Sequence, residues 1–255
     1  MPGSHLRRVA VAAALALTVA LPGVATANHS WGGYHWARTA NPFTLALGDN
    51  VDSSWDAYLG TTSSDWSQSK VLDTVIVAGS TRAKTCRATT GRVEVCNATY
   101  GSTGWLGVAS ISITGGVHIT KGTVKVNDTY FRTATYNTSA WRNLVMCQEV
   151  GHTFGLDHQD ENFNNANLGT CMDYTSDPST NQHPNQHDYD ELETIYAHLD
   201  STTTVGTFSA ATSAAHGSAA SGFGRLVASS RNGRFQTFVH DFGNGQLEVS
   251  FVIWA

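Results

Sequence analysis

One segment of the chain concentrates residues that can bind a metal and move a proton: Gln148-Glu149-Val150-Gly151-His152-Thr153-Phe154-Gly155-Leu156-Asp157-His158. On a helix, positions 148 and 152 lie one above the other on one face, so two ligands at that spacing reach a single ion. Gly155 lets the backbone turn sharply, which allows His158 to swing back as a third ligand. Three protein ligands leave a fourth position open for water, the arrangement a catalytic zinc site requires. Zinc in such a site lowers the pKa of its water toward neutrality and polarises a carbonyl. Glu149 lies beside the ligand face, where it can touch that water without binding the metal. It would accept the water's proton during attack and pass it to a leaving amine. The chemistry expected is peptide-bond hydrolysis without a covalent intermediate.

Convergence of these side chains requires a helix that ends at a turn. From Ser139 to Phe154 the apolar period is helical, with Trp141, Leu144, Val145, Gln148 and His152 on one face. Gly155 follows where a helix C-terminal glycine belongs. Before this helix the pattern predicts strands at Phe43 to Leu47, Val71 to Ala78, Arg92 to Tyr100, Trp105 to Thr114 and Thr123 to Phe131. A helix is expected over Val51 to Ser67 and another over Asp188 to Leu199, with Pro184 as a stop before it. Asp157 to Asp177 is polar and irregular. Its acidic cluster Asp157, Asp160 and Glu161 reads as a solvated loop rather than a calcium site. The four cysteines pair as Cys86–Cys96, which flank the turn-like Thr89-Thr90-Gly91, and Cys147–Cys171; no C-x-x-C spacing supports a four-cysteine metal site.

The segment from Gln148 to His158 resembles the signature of the metzincin metallopeptidases, H-E-x-x-H-x-x-G-x-x-H followed by a methionine turn. Glu149, His152, Gly155 and His158 match it, and Cys171-Met172-Asp173-Tyr174 looks like the methionine turn. The resemblance implies an α+β zincin-like fold with a mixed twisted sheet, an active-site helix, zinc as cofactor and a peptide or protein as substrate. It implies that Met172 forms a hydrophobic floor beneath the metal and that Tyr174 stabilises the transition state. It also implies that Leu106, Gly107, Val108 and Ala109 form the edge strand along which matrixin-type enzymes align an extended substrate. The resemblance runs from about Asn41 to Leu199. One position departs from it: Gln148 stands where the family has its first histidine. The amide oxygen is neutral and has comparable reach, but it is a weaker donor than imidazole, so weaker zinc binding is expected. The alternative is a silent member of the fold that binds peptides without cutting them.

Arg7 and Arg8, the apolar run Val9 to Leu21 and the small residues Ala25-Thr26-Ala27 read as a secretory signal over residues 1–27. The mature chain is expected to be secreted and monomeric, with residues 28–200 as the catalytic domain. It would begin too close to its first strand to carry a propeptide. Residues 201–222 read as a Ser/Ala/Gly-rich linker and 223–255 as a β-rich segment with turns at Arg231-Asn232-Gly233 and Gly243-Asn244-Gly245. The formal net charge is −5, without Lys/Arg clusters, which argues against nucleic acid and membrane partners. Asn28, Asn97, Asn127 and Asn137 are N-x-S/T positions, and His118, His183, His187, His198 and His240 read as scattered surface residues.

Overall fold

The apolar β-branched runs pair into one mixed sheet in the computed structural model, which describes residues 29–207 and 222–255. The signal segment 1–27 and residues 208–221 of the linker lie outside the described residues. In chain order the elements are β1 (His35–Trp36), β2 (Phe43–Asn50), α1 (Asp56–Trp66), β3 (Leu72–Ala78), β4 (Val93–Ala98), β5 (Trp105–Thr114), β6 (His118–Asn127) and α2 (Asp128–Phe131). Then follow α3 (Ser139–His152), a 3-10 turn (Pro178–Thr180), α4 (Gln186–Ile195), β7 (Arg225–Ser229), β8 (Phe235–Gly243) and β9 (Gln246–Trp254).

The sheet order is β3-β2-β4-β6-β5-β9-β8-β7, with the short β1 beside the start of β6. One half, β3-β2-β4-β6, is parallel, and the other half is antiparallel. The fold is therefore α+β, and the C-terminal strands continue the same sheet. Residues 201–207 are fastened as well, through Thr204 N–H to the Ala37 carbonyl and Gly206 N–H to the Gly91 carbonyl, both 2.9 Å.

The strand expected over Thr123 to Phe131 instead stops at Asn127. The Asn127 side chain accepts from Thr129 N–H at 3.1 Å and caps α2, while its amide donates to the Gly101 and Trp105 carbonyls. The same residue ends the strand, starts the helix and ties both to the entrance of β5. Asn127 and Asn97 are both buried, so neither glycosylation motif is accessible in the folded chain.

α3 crosses the sheet as a nearly fully buried helix. Thr138 caps it by accepting from Trp141 N–H, and Leu144, Val145 and Val150 sink into the main core with Trp66, Leu106 and Val126. Its last carbonyls need external donors. Trp36 Nε1 donates to the Thr153 carbonyl at 2.9 Å, and the Tyr196 hydroxyl donates to the Phe154 carbonyl at 2.9 Å. Both expected disulfides are present, Cys86–Cys96 and Cys147–Cys171. No helix among the described residues is long and apolar enough to cross a membrane.

Candidate metal and catalytic centre

The last turn of α3 brings Gln148, Glu149 and His152 to one place under the sheet, and the chain then reverses at Gly155. That glycine has φ +95°, and a Cβ there would lie 1.9 Å from the Tyr34 carbonyl oxygen, so no other residue fits. The reversal returns His158 to the helix, with its ring centroid 4.5 Å from that of His152. Tyr174 lies 4.3 Å from His158 on the other side. Met172 packs against the helix below: a methyl group at Gly151 would come within 2.7 Å of its sulfur. The Cys147–Cys171 bridge joins the helix and the turn beside these residues.

Hydrogen bonds on the far side of each candidate ligand set which atom faces inward. A carbonyl only accepts, so Gln148 Nε2 donates to the Cys171 carbonyl at 2.7 Å, and Oε1 is left as the inward group. His152 Nδ1 donates to the Leu156 carbonyl at 2.9 Å, which leaves the lone pair on Nε2. Gln148 Oε1, His152 Nε2 and both ring nitrogens of His158 are buried without any hydrogen-bond partner. His158 Nδ1 lies 3.3 Å from Asp157 Oδ1 but out of hydrogen-bond alignment. Buried polar atoms are almost always paired, so several lone pairs left together need an explanation. A bound cation supplies one, and two imidazoles with one amide oxygen are donors that suit zinc.

Glu149 is equally buried, and neither of its oxygens has a hydrogen-bond partner. Burial pushes its carboxyl well above the usual range, and the Ala109 backbone amide, too poorly aligned for a full bond, offsets this only in part. Burial holds His152 well below the ordinary histidine value, aided by the neighbouring His158, so its imidazole is neutral, as a metal ligand must be. Burial also pushes the Tyr174 hydroxyl far up, with Glu161 and Asp157 adding to the effect, so it remains a donor. Gly107 houses Glu149, a role that neither its spacing nor its neighbours in the sequence reveal. A Cβ at Gly107 would meet Glu149 Oε1 at 2.5 Å and Val145 at 2.7 Å, so the carboxylate occupies the space of the missing side chain.

One expectation is corrected. Leu106, Gly107, Val108 and Ala109 do not form an edge, because β5 is paired on both sides, with β6 and with β9. The resemblance implies an edge there, but the C-terminal strand β9 occupies that side of β5. In the acidic loop Asp160 accepts from Asn162 N–H and Asn165, and Asp157, His158 and Glu161 bring their ligand atoms close enough together to hold a cation. His118 and His198 are not scattered; with His35 they surround Asp200 at the opposite end of β6.

No family model matches the chain, and no curated protein matches it.

Proposed function

We propose that this chain is a secreted zinc-dependent endopeptidase, with Gln148, His152 and His158 as zinc ligands and Glu149 as general base. The observation that carries the reading is that Gln148 Oε1, His152 Nε2 and both ring nitrogens of His158 are buried without a hydrogen-bond partner, as are both oxygens of Glu149. Zinc, when bound there, polarises the scissile carbonyl and makes an attacking water acidic. Glu149 takes the proton from that water and delivers it to the departing amine, a task suited to a carboxyl whose affinity for protons is raised by burial. Tyr174, still protonated and set against His158, can donate to the oxygen that gains charge. Met172 and the Cys147–Cys171 bridge hold the turn that accepts the Gln148 amide. Two disulfides and the N-terminal sequence support secretion.

The test compares zinc content and hydrolysis of a mixture of quenched peptides for the wild type and for Gln148→Ala/His158→Ala. A loss of about one zinc per chain together with loss of hydrolysis is expected. Equal zinc in both proteins would sink the reading. The second reading, a silent peptide-binding fold, is favoured by the complete burial of the centre beneath β8 and β9. Glu149→Gln separates the two, since a pure binder loses nothing measurable by it.

A further inference from the structure

The sheet position that an extended peptide would need is taken by the chain itself. β9 runs antiparallel to β5, from Leu247 opposite Ile113 to Trp254 opposite Trp105. Val249, Phe251 and Ile253 alternate along one face of β9 and join the main core, opposite Ile111, Ala109 and Gly107. Phe251 lies flat on the His152 ring, with centroids 4.1 Å apart and planes 3° from parallel. Phe235 from β8 stacks on Tyr174 at 3.9 Å and reaches His158 at 5.3 Å. Gln148, Glu149 and His152 consequently have no exposed surface.

We propose that residues 223–255 act as a built-in pseudosubstrate, with β9 holding the substrate strand position on β5 while Phe235 and Phe251 cover the centre. The proposal rests on the peptidase reading for what is kept latent, but not for the strand exchange itself. Two properties of the pairing support it. Backbone pairing to β5 is independent of side chains, so any extended peptide offers the same hydrogen bonds. On the opposite face β9 and β5 meet in a separate cluster around Trp105, Val108 and Val252, flanked by Phe223, Phe238 and Trp254 and by the Ser110–Ser250 hydrogen bond, apart from the main core. The substrate class follows from what the groove already accepts: extended segments with large apolar side chains at every second position, as at Val249, Phe251 and Ile253.

The experiment uses the full chain, folded and oxidised, with a specific cleavage sequence inserted between Thr207 and Gly222. Hydrolysis of quenched apolar peptides, and uptake of a fluorescent peptide with the sequence Gln246 to Trp254, are measured before and after the cut. After cutting and dilution, the chain should release the segment on gel filtration and take up the fluorescent peptide. Hydrolysis should rise on the order of tenfold or more. Peptide uptake without hydrolysis upholds the strand exchange on β5 and removes the peptidase reading. A segment that stays bound after the cut, with no peptide uptake, overturns the proposal, and so does an uncut chain already as active as the cut one.

A different observation carries a second inference. Asp200 is fixed by Arg38: Oδ2 accepts from Nη1 at 2.9 Å and from the Arg38 backbone N–H at 3.2 Å. Its other oxygen, Oδ1, faces three imidazoles, at 3.6 Å from His35 Nε2, 3.3 Å from His118 Nε2 and 3.8 Å from His198 Nε2. His35 Nε2 and His198 Nε2 are 3.2 Å apart. His35 Nδ1 donates to the Gly33 carbonyl at 2.7 Å, so neutral His35 points its Nε2 lone pair at a carboxylate oxygen and at another nitrogen. Neutral His198 can donate its Nε2–H to His35 Nε2, but the His35 lone pair also lies 3.6 Å from the Asp200 carboxylate oxygen, and a cation between the three groups turns that repulsion into shared coordination. Zinc with tetrahedral bonds of about 2.0–2.1 Å separates its ligands by about 3.3 Å, close to the spacings found.

We infer that His35, His198 and Asp200 form a zinc site that clamps β1 to the chain beyond α4, with its fourth position open to water. It lies apart from the candidate peptidase centre and shares no residue with it. The test is zinc content and thermal melting of the full chain against His198→Ala, whose side chain is half exposed and therefore tolerant of change. The variant should hold about one zinc fewer and lose most of the rise in Tm that added zinc gives the wild type. Equal zinc content and an equal zinc-dependent rise in Tm in the two proteins would falsify the site and leave the cluster as a hydrogen-bonded group of histidines around Asp200.

Discussion

Glu94 and Glu149 are both fully buried, and each occupies the space left by a glycine. A Cβ at Gly48 would meet Glu94 Oε2 at 2.5 Å, just as one at Gly107 would meet Glu149 Oε1 at 2.5 Å. Beyond that the two environments are opposite. Glu94 accepts from Ser80 Oγ at 2.6 Å, Arg92 Nε at 2.7 Å and Asn50 Nδ2 at 2.7 Å. Burial alone would raise its pKa, but hydrogen bonds from Ser80, Thr89, Asn50 and Arg92 hold it below the usual carboxylate range. Glu149 has no partner at all, and burial drives it the other way. A carboxylate kept for structure is surrounded by donors. One kept unpaired costs stability, and that cost is explained only if something binds beside it.

The comparison is broken or sharpened by substitution. The largest effect is expected from Glu149→Gln in the chain cut between Thr207 and Gly222. Its kcat should fall by about 10²–10⁴, with unchanged Tm or a higher one, because a buried acid without hydrogen-bond partners is replaced by a neutral group of the same shape. Retained hydrolysis would remove Glu149 from the chemistry. Glu94→Ala should do the reverse: a loss of about 3 kcal/mol in urea unfolding, with activity per folded molecule preserved. The two glycines come next. Gly48→Ala should lower stability by about 1–3 kcal/mol by displacing Glu94, whereas Gly107→Ala should mainly reduce kcat, because the atoms displaced include the Glu149 carboxylate. Equal effects of the two on activity would show that Gly107 has no special tie to the centre.

The smallest effect is a pH dependence. Because the folded-state pKa of Glu94 lies below its unfolded value of about 4.3, its stabilisation is present above that pH. It disappears as pH falls through the folded value. The Tm difference between wild type and Glu94→Gln should therefore be widest near neutrality and shrink below about pH 4. A difference independent of pH would mean that Glu94 acts by shape rather than charge.

What was legible in the sequence was local. α3, the turn at Gly155 and the Cys86–Cys96 bridge depend on residues close together in the chain, and the Cys147–Cys171 bridge follows as the remaining pair. The β9 run was recognisable as a strand, but its pairing with β5 spans more than half the chain, and no periodicity encodes a partner. For Leu106 to Ala109 only the resemblance spoke, and it implies a free edge. His35, His118 and His198 were opaque for the same reason, since three separate segments bring them to Asp200. Glu94 gave no signal because a buried carboxylate reads like a surface one until its donors are seen.

The attachment of β9 through the same chain has a quantitative consequence. A strand joined by a short stretch of polypeptide acts at an effective concentration on the order of 1 mM. With an intrinsic Kd of only about 10 µM it would occupy β5 about 99 % of the time. Once severed and diluted to about 1 µM, the same strand with the same contacts would occupy about a tenth of the molecules. A single broken peptide bond in the connection can thus convert a covered site into an open one without altering any residue that touches it.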